Sequence, residues 1–172
     1  IVSRDWSSDV CSSDLVLVEA WFVGDRDRRV PVTGPGTPDV PSALAQVFTL
    51  ALRPWLGKCA DALQERRELD AWRHAYCPLC GSEPGLAVVA PDGRTFLMCA
   101  RCTLRWPHDS DACPFCENAN ASLMSSFGAP DGAYRVNVCD ACRRYLKGMD
   151  VRRAGRPPMP LVDAAEIGRA HV

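Results

Sequence analysis

The sequence predicts an α+β fold, a helical segment followed by two tandem metal ribbons. Three observations carry this. Eight of the ten cysteines fall into four C-x-x-C pairs, Cys77/Cys80, Cys99/Cys102, Cys113/Cys116 and Cys139/Cys142. Between the pairs, a strand–turn–strand pattern occurs twice in the same order. Ahead of them the apolar residues recur at helical spacing. The rest of the composition is ordinary: 47% of the 172 residues are hydrophobic and the formal charge is −1. That charge gives no global attraction to nucleic acid or to an anionic membrane. No apolar run approaches the eighteen or more residues of a membrane-spanning helix.

The two ends stand apart from this pattern. Residues 9–14, DVCSSD, can be encoded by GAC GTG TGC TCT TCC GAT. The reverse complement of that string encodes IGRAHV, which is residues 167–172. One piece of DNA read in both directions accounts for both ends, and it resembles a sequencing-library adapter. Residues 1–15 and 167–172 are therefore expected to be artefact and are set aside from the fold, with Cys11 and His171.

From residue 39 to 76 the chain reads as helix. Leu44, Val47, Phe48, Ala51 and Leu52 recur at three- and four-residue steps, which predicts a buried face. Proline is tolerated only in the first turn of a helix, so Pro54 is expected to end this helix or begin the next. Trp55, Leu56, Cys59, Ala62 and Leu63 continue the apolar spacing, with Cys59 as a small buried hydrophobe. The stretch QERRELD is expected to be a solvated face. Upstream, GDRDRRVPVTGPGTPDVP is rich in Gly, Pro and charge and reads as loop. Two helices bury little on their own, so residues 16–76 read as the remnant of a larger helical region.

Past Cys77 the pattern changes. A C-x-x-C knuckle leads into a strand over 86–90, an Asp92-Gly93 turn, a strand over 95–98 and a second knuckle. The order then repeats, with strands over 123–127 and 134–138 about an Asp131-Gly132 turn. Asp-Gly between two strand-like runs is a strong hairpin signal. The duplication predicts two modules, 77–112 and 113–150, followed by a tail over 151–166.

A C-x-x-C turn sets two thiolates near enough to share one ion, and a hairpin brings a second pair opposite them to complete a tetrahedral four-sulfur site. The expected ligands are Cys77, Cys80, Cys99 and Cys102 for one ion and Cys113, Cys116, Cys139 and Cys142 for the other. Spacing alone leaves crossed pairing between the modules open. Four-sulfur geometry suits zinc or a single iron. Four matched pairs argue against a secreted disulfide scaffold, whose cysteines are more scattered, and thus for a reducing, cytoplasmic setting. A redox C-x-x-C would need a βαβ setting and a reactive, partly exposed thiolate, and four pairs in two matched modules argue against it.

Charge argues against nucleic acid. Between Cys77 and Cys142 there are four basic and seven acidic residues, a balance of −3, and each zinc–tetrathiolate unit adds −2. Only RRYLKGMDVRRAGR is basic, and it is expected to offset the thiolate charge and cap a terminal helix. His74 and His108 flank knuckles whose ligand places are already taken. No nucleophile elbow, phosphate-cradling loop or open metal site is recognisable, so a binding or assembly protein is expected rather than an enzyme.

The segments YCPLCGSEP, FLMCARCTLRWPHDSDACPFC and YRVNVCDACRRYLKGMD resemble the formate dehydrogenase accessory protein (FdhE) family, and ALRPWL and LDAWRHAYC are similar to the end of that family's helical domain. The resemblance runs from about Pro41 to Val162. It implies a helical domain followed by two rubredoxin-like (zinc-ribbon) modules in a cytoplasmic protein, with two metal ions, iron or zinc, each held by one of the four-cysteine sets above. It also implies a role in maturing respiratory formate dehydrogenase through contact with the catalytic subunit. Most of the helical domain and the stretch after PLVDAAE are missing relative to the family. Two alternatives from other classes are a rubredoxin-like electron carrier or redox sensor and a tandem zinc ribbon for nucleic acid. Arg101 and Thr103 have no assigned role.

Overall fold

The computed structural model describes residues 42–163 except 109, 110 and 161. The adapter-like ends and the Gly/Pro-rich loop lie outside the described residues. Helix α1 (Ser42–Gln64) leads into a 3-10 helix (Arg67–Ala71) and then a six-stranded sheet. The strands are β1 (Pro84–Val89), β2 (Thr95–Cys99), β3 (Arg105–Pro107), β4 (Met124–Gly128), β5 (Tyr134–Cys139) and β6 (Arg144–Asp150). A one-turn helix, α2 (Val151–Ala154), follows, with Asp150 as its N-cap and Gly155, at φ 65°, ending it.

Each half of the sheet is a three-stranded antiparallel meander, and the two halves join edge to edge in the order β3-β2-β1-β6-β5-β4. The hairpin strands lie within a residue or two of their expected positions. Gly93 and Gly132, at φ 88° and 69°, occupy left-handed turn positions that strain any side chain. The third strand of each half and the junction are additions to the expected pattern. The junction is parallel, with Ala87 opposite Gly148 and Val89 opposite Asp150. Across it Arg144 grips Glu83 in a bidentate pair at 2.8 and 2.6 Å.

Three expectations about α1 are corrected. Pro54 lies inside one continuous helix of 23 residues. It removes the bond that the Leu50 carbonyl would accept, and Leu50 is 69% exposed, so water can replace that donor. The buried face is also rotated from the expected one. Val47 is 57% exposed and Trp55 61%, and Ala51 and Ala62 are exposed too, whereas Leu56 and Ala60 are buried with Phe48, Leu52 and Leu63 packed beside them. The helix is apolar on two sides, and periodicity could not choose between them. Cys59 is only half-buried. In QERRELD, Leu69 is buried rather than solvated and joins the core.

That core lies between α1 and one face of the first meander. It contains Leu56, Leu69, Leu97, Leu104 and Trp106 together with Cys77, Cys80, Cys99 and Cys102. Trp106 is anchored by its indole N–H, which donates to the His74 carbonyl at 3.0 Å. A second cluster on the opposite face joins Leu86, Val88, Met98 and Met149 across the junction. No described helix is long and apolar enough to cross a membrane.

Candidate metal centres

All four knuckles are built alike. The residue after the second cysteine takes a left-handed conformation: Gly81 at φ 71°, Thr103 at 64°, Glu117 at 58° and Arg143 at 57°. This reverses the chain, so the amides of Gly81, Thr103 and Glu117 donate to the carbonyls of Cys77, Cys99 and Cys113. The amides of Cys77, Cys99 and Cys113 in turn donate to the carbonyls of Ser82, Leu104 and Asn118. Thr103 therefore has a conformational place in the fold that sequence reasoning did not assign. Only the first knuckle uses glycine at this position. Replacing exposed Glu117 with glycine is expected to raise stability by about 1 kcal/mol, the cost of holding a side chain in this region. Denaturant unfolding of the metal-loaded protein checks this, and Glu117→Val should move the midpoint the other way.

The geometry gathers the sulfurs into two sets, Cys77, Cys80, Cys99 and Cys102, and Cys113, Cys116, Cys139 and Cys142, each within 4.8 Å throughout. In the first set Cys77 and Cys102 are 3.5 Å apart, Cys80 and Cys99 3.4 Å, and Cys80 and Cys102 3.7 Å. In the second, Cys113 to Cys142 and Cys116 to Cys139 are each 3.7 Å. A tetrahedron with metal–sulfur bonds of about 2.3 Å has edges of about 3.8 Å, so both sets fit a single tetrahedral ion. Amide hydrogens already point at the sulfurs, as a bound thiolate needs. Arg101 and Cys102 donate to Cys99 at 3.3 and 3.4 Å, and Phe115 donates to Cys113 at 3.5 Å. Arg101, whose side chain is buried, thus has at least its amide in the site. His74 and His108 belong to neither set. The His74 ring stacks on Tyr76, and His108 Nε2 is 3.0 Å from the Ala112 carbonyl.

Crowded thiols share protons rather than ionise together. Hydrogen bonds from Cys102, Cys77 and Cys80 hold Cys99 far down, while the bond to Cys102 leads those that push Cys77 far up. In the second set burial pushes Cys113 up to about 12. Burial also acts to raise Cys139, but the amides of Cys142 and Ala141 and the thiols of Cys116 and Cys113 outweigh it and bring that thiol down to about 7. A bound divalent cation would resolve this frustration by displacing the protons.

The two sets differ in cover. Every sulfur residue of the first is at most 1% exposed beneath α1, whereas Cys116 is exposed and Cys142 half-buried in the second. Chelator is therefore expected to strip the second site first. Thiol labelling during chelation, read by peptide mass, should show Cys116 and Cys142 modified before Cys77 or Cys80. Simultaneous labelling of all eight would contradict this.

No family model matches the chain. Over 121 residues it is 29% identical to the protein named FdhE homolog of Aquifex aeolicus (strain VF5), a match covering 67% of this chain and 42% of that protein. The FdhE homolog of Shewanella oneidensis is 30% identical over 90 residues, 51% of this chain and 28% of the relative. FdhE of Escherichia coli O127:H6 is 32% identical over 75 residues, 42% and 24% respectively. The chain thus spans less than half the length of these relatives. Its fold matches the crystal structure of the FdhE protein from Pseudomonas aeruginosa with a TM-score of 0.56 at 21% identity, covering 91% of this chain and 68% of that one.

Proposed function

We propose that this chain, which belongs to the FdhE family over that family's C-terminal region, is the metal-stabilised part of a cytoplasmic accessory protein for respiratory formate dehydrogenase. Its parent binds the catalytic subunit during maturation and is not itself an enzyme. The observation that carries this is the pair of closed four-cysteine sets, built into one continuous sheet, in a chain of this family. Each set holds one ion, zinc or iron. With four sulfur ligands no coordination position remains for a substrate, which suits a structural site. The metal would cross-link the knuckles, and the residues around it would present a fixed surface to the client.

Pairwise capture tests the reading. The full-length protein should retain its cognate catalytic subunit, and the metal-stripped protein should not. Equal retention by both would show that the metal modules have no part in the contact, and retention by neither would remove the proposed partner.

A further inference from the structure

A cleft of about 450 Å³ crosses one face of the sheet and spans both modules. Its floor comes from β1 and β6 through Ala87, Val89 and Leu146, and β4 forms its outer side through Met124 and Ser126. Three arginines line it, Arg135, Arg144 and Arg152, with His108, and among the described residues no carboxylate does. Two of the arginines are held from outside the lining. Glu83 fixes Arg144, whose guanidinium also stacks 3.7 Å over Phe115, and Asp150 fixes Arg152 through Nε and Nη2.

Arg135 differs from both, since it forms no ion pair among the described residues. Its side chain lies across β6 at Gly148, where an added Cβ would meet Arg135 Cγ at 2.8 Å. Gly148 is not in a left-handed conformation, so its missing side chain is explained by the room it gives Arg135. Along β5, Arg135 stands four residues from Cys139, about 13 Å at strand spacing. Register places Arg152, just past Asp150, at the Arg135 end, and Arg144 at the Cys139 end. The cleft is therefore polarised. Its metal end carries the negative tetrathiolate unit with Arg144 beside it, and its far end carries Arg135 beside the Arg152–Asp150 ion pair.

We infer that this cleft docks an extended acidic segment of a protein client, with a carboxylate seated on Arg135 and Arg152 and the chain running beside β4. Planar guanidinium forks match carboxylates in two-point contacts. The opposite edge of the sheet is closed to such a guest. There the Gln64 side-chain amide donates to the Arg105 carbonyl at 3.2 Å and its oxygen accepts from the Arg105 amide at 3.0 Å, as a neighbouring strand would. Among the described residues the β4 edge has no strand beyond it, and addition of an extended peptide to such an edge is a common recognition mode. The small volume of the cleft disfavours a nucleic-acid guest. This inference rests on the client-binding reading above, and names the surface and the chemistry for it.

The test is fluorescence polarisation of a fluorescein-labelled deca-glutamate peptide with the metal-loaded protein at low ionic strength. Binding is expected, weakened roughly tenfold or more in Arg135→Gln and further in Arg135→Gln/Arg152→Gln, as loss of a charge-assisted contact predicts. Lys58→Gln, an exposed charge on α1, should change nothing. Circular dichroism and metal content establish that each variant is folded, and Arg135→Gln alone decides the matter if the double variant is not. Undiminished binding by folded Arg135→Gln, no binding by the unaltered protein, or equal affinity for single-stranded DNA would each overturn the inference. Capture of the catalytic subunit separates the two levels. Peptide binding without capture removes the proposed client and leaves the cleft, whereas capture undiminished in Arg135→Gln removes the cleft and leaves the client.

Discussion

Stripping both metals should unfold the sheet. A structural site of four sulfurs contributes about 10–16 kcal/mol of apparent binding free energy, which equals or exceeds the whole stability of a typical domain. The two sites should not be equivalent. Cys77→Ser/Cys80→Ser removes two ligands that lie in the same cluster as Leu56, Leu97 and Trp106, so its damage should spread to α1 and to the β1–β6 junction. Cys113→Ser/Cys116→Ser strikes a set partly open to water and outside that cluster, so β1 to β3 should keep their protection. Circular dichroism gives the total loss on chelation, and amide exchange divides it between the halves. An unchanged spectrum after complete metal removal would contradict the account, as would equal loss of protection across both halves in the two variants.

Deleting the gene for the full-length protein should reduce formate-dependent dye reduction in its host to background, with restoration by the unaltered gene. Neither Cys77→Ser/Cys80→Ser nor Cys113→Ser/Cys116→Ser should restore it fully, the first least, because its site is enclosed in the core. The catalytic subunit should still be synthesised, which quantitative immunoblotting can establish. Full activity in the deletion strain would remove the proposed role. Full restoration by both cysteine variants would show that the metal modules are dispensable for it.

Much of this molecule was legible because the relevant signals are local. Asp92-Gly93 and Asp131-Gly132 fixed both hairpins, and the C-x-x-C spacing located all eight sulfurs that the fold gathers. Other features depend on distance or on a choice between faces. Strand β3 is three residues long and ends in Pro107, too short for alternation to register. Strand β6 was hidden by its charge, so RRYLKGMD read as a basic cap although Arg144, Leu146 and Gly148 share one face. The expected basic helix end is supplied farther along the same segment, by Arg152 and Arg153 in the last turn of α2. Pairing of Ala87 with Gly148 joins residues far apart in the chain, and no short-range signal announces a parallel contact. Arg135 belongs to the same class, since only the fold shows that Gly148 makes room for it. In α1, apolar residues on two faces left the choice to tertiary packing, which selected Leu56 and Ala60 and exposed Val47 and Trp55.

The central claim is that two metal ions, each in a tetrahedron of four cysteine sulfurs, hold this sheet together, and metal analysis of anaerobically purified full-length protein tests it most directly. Mass spectrometry under native conditions, with elemental analysis of the same sample, should find two ions per chain, zinc or iron, and no disulfide. Cys77→Ser/Cys80→Ser and Cys113→Ser/Cys116→Ser should each lose one of them. A chain that is fully folded with no bound metal, or with its knuckle cysteines joined as disulfides, would contradict it.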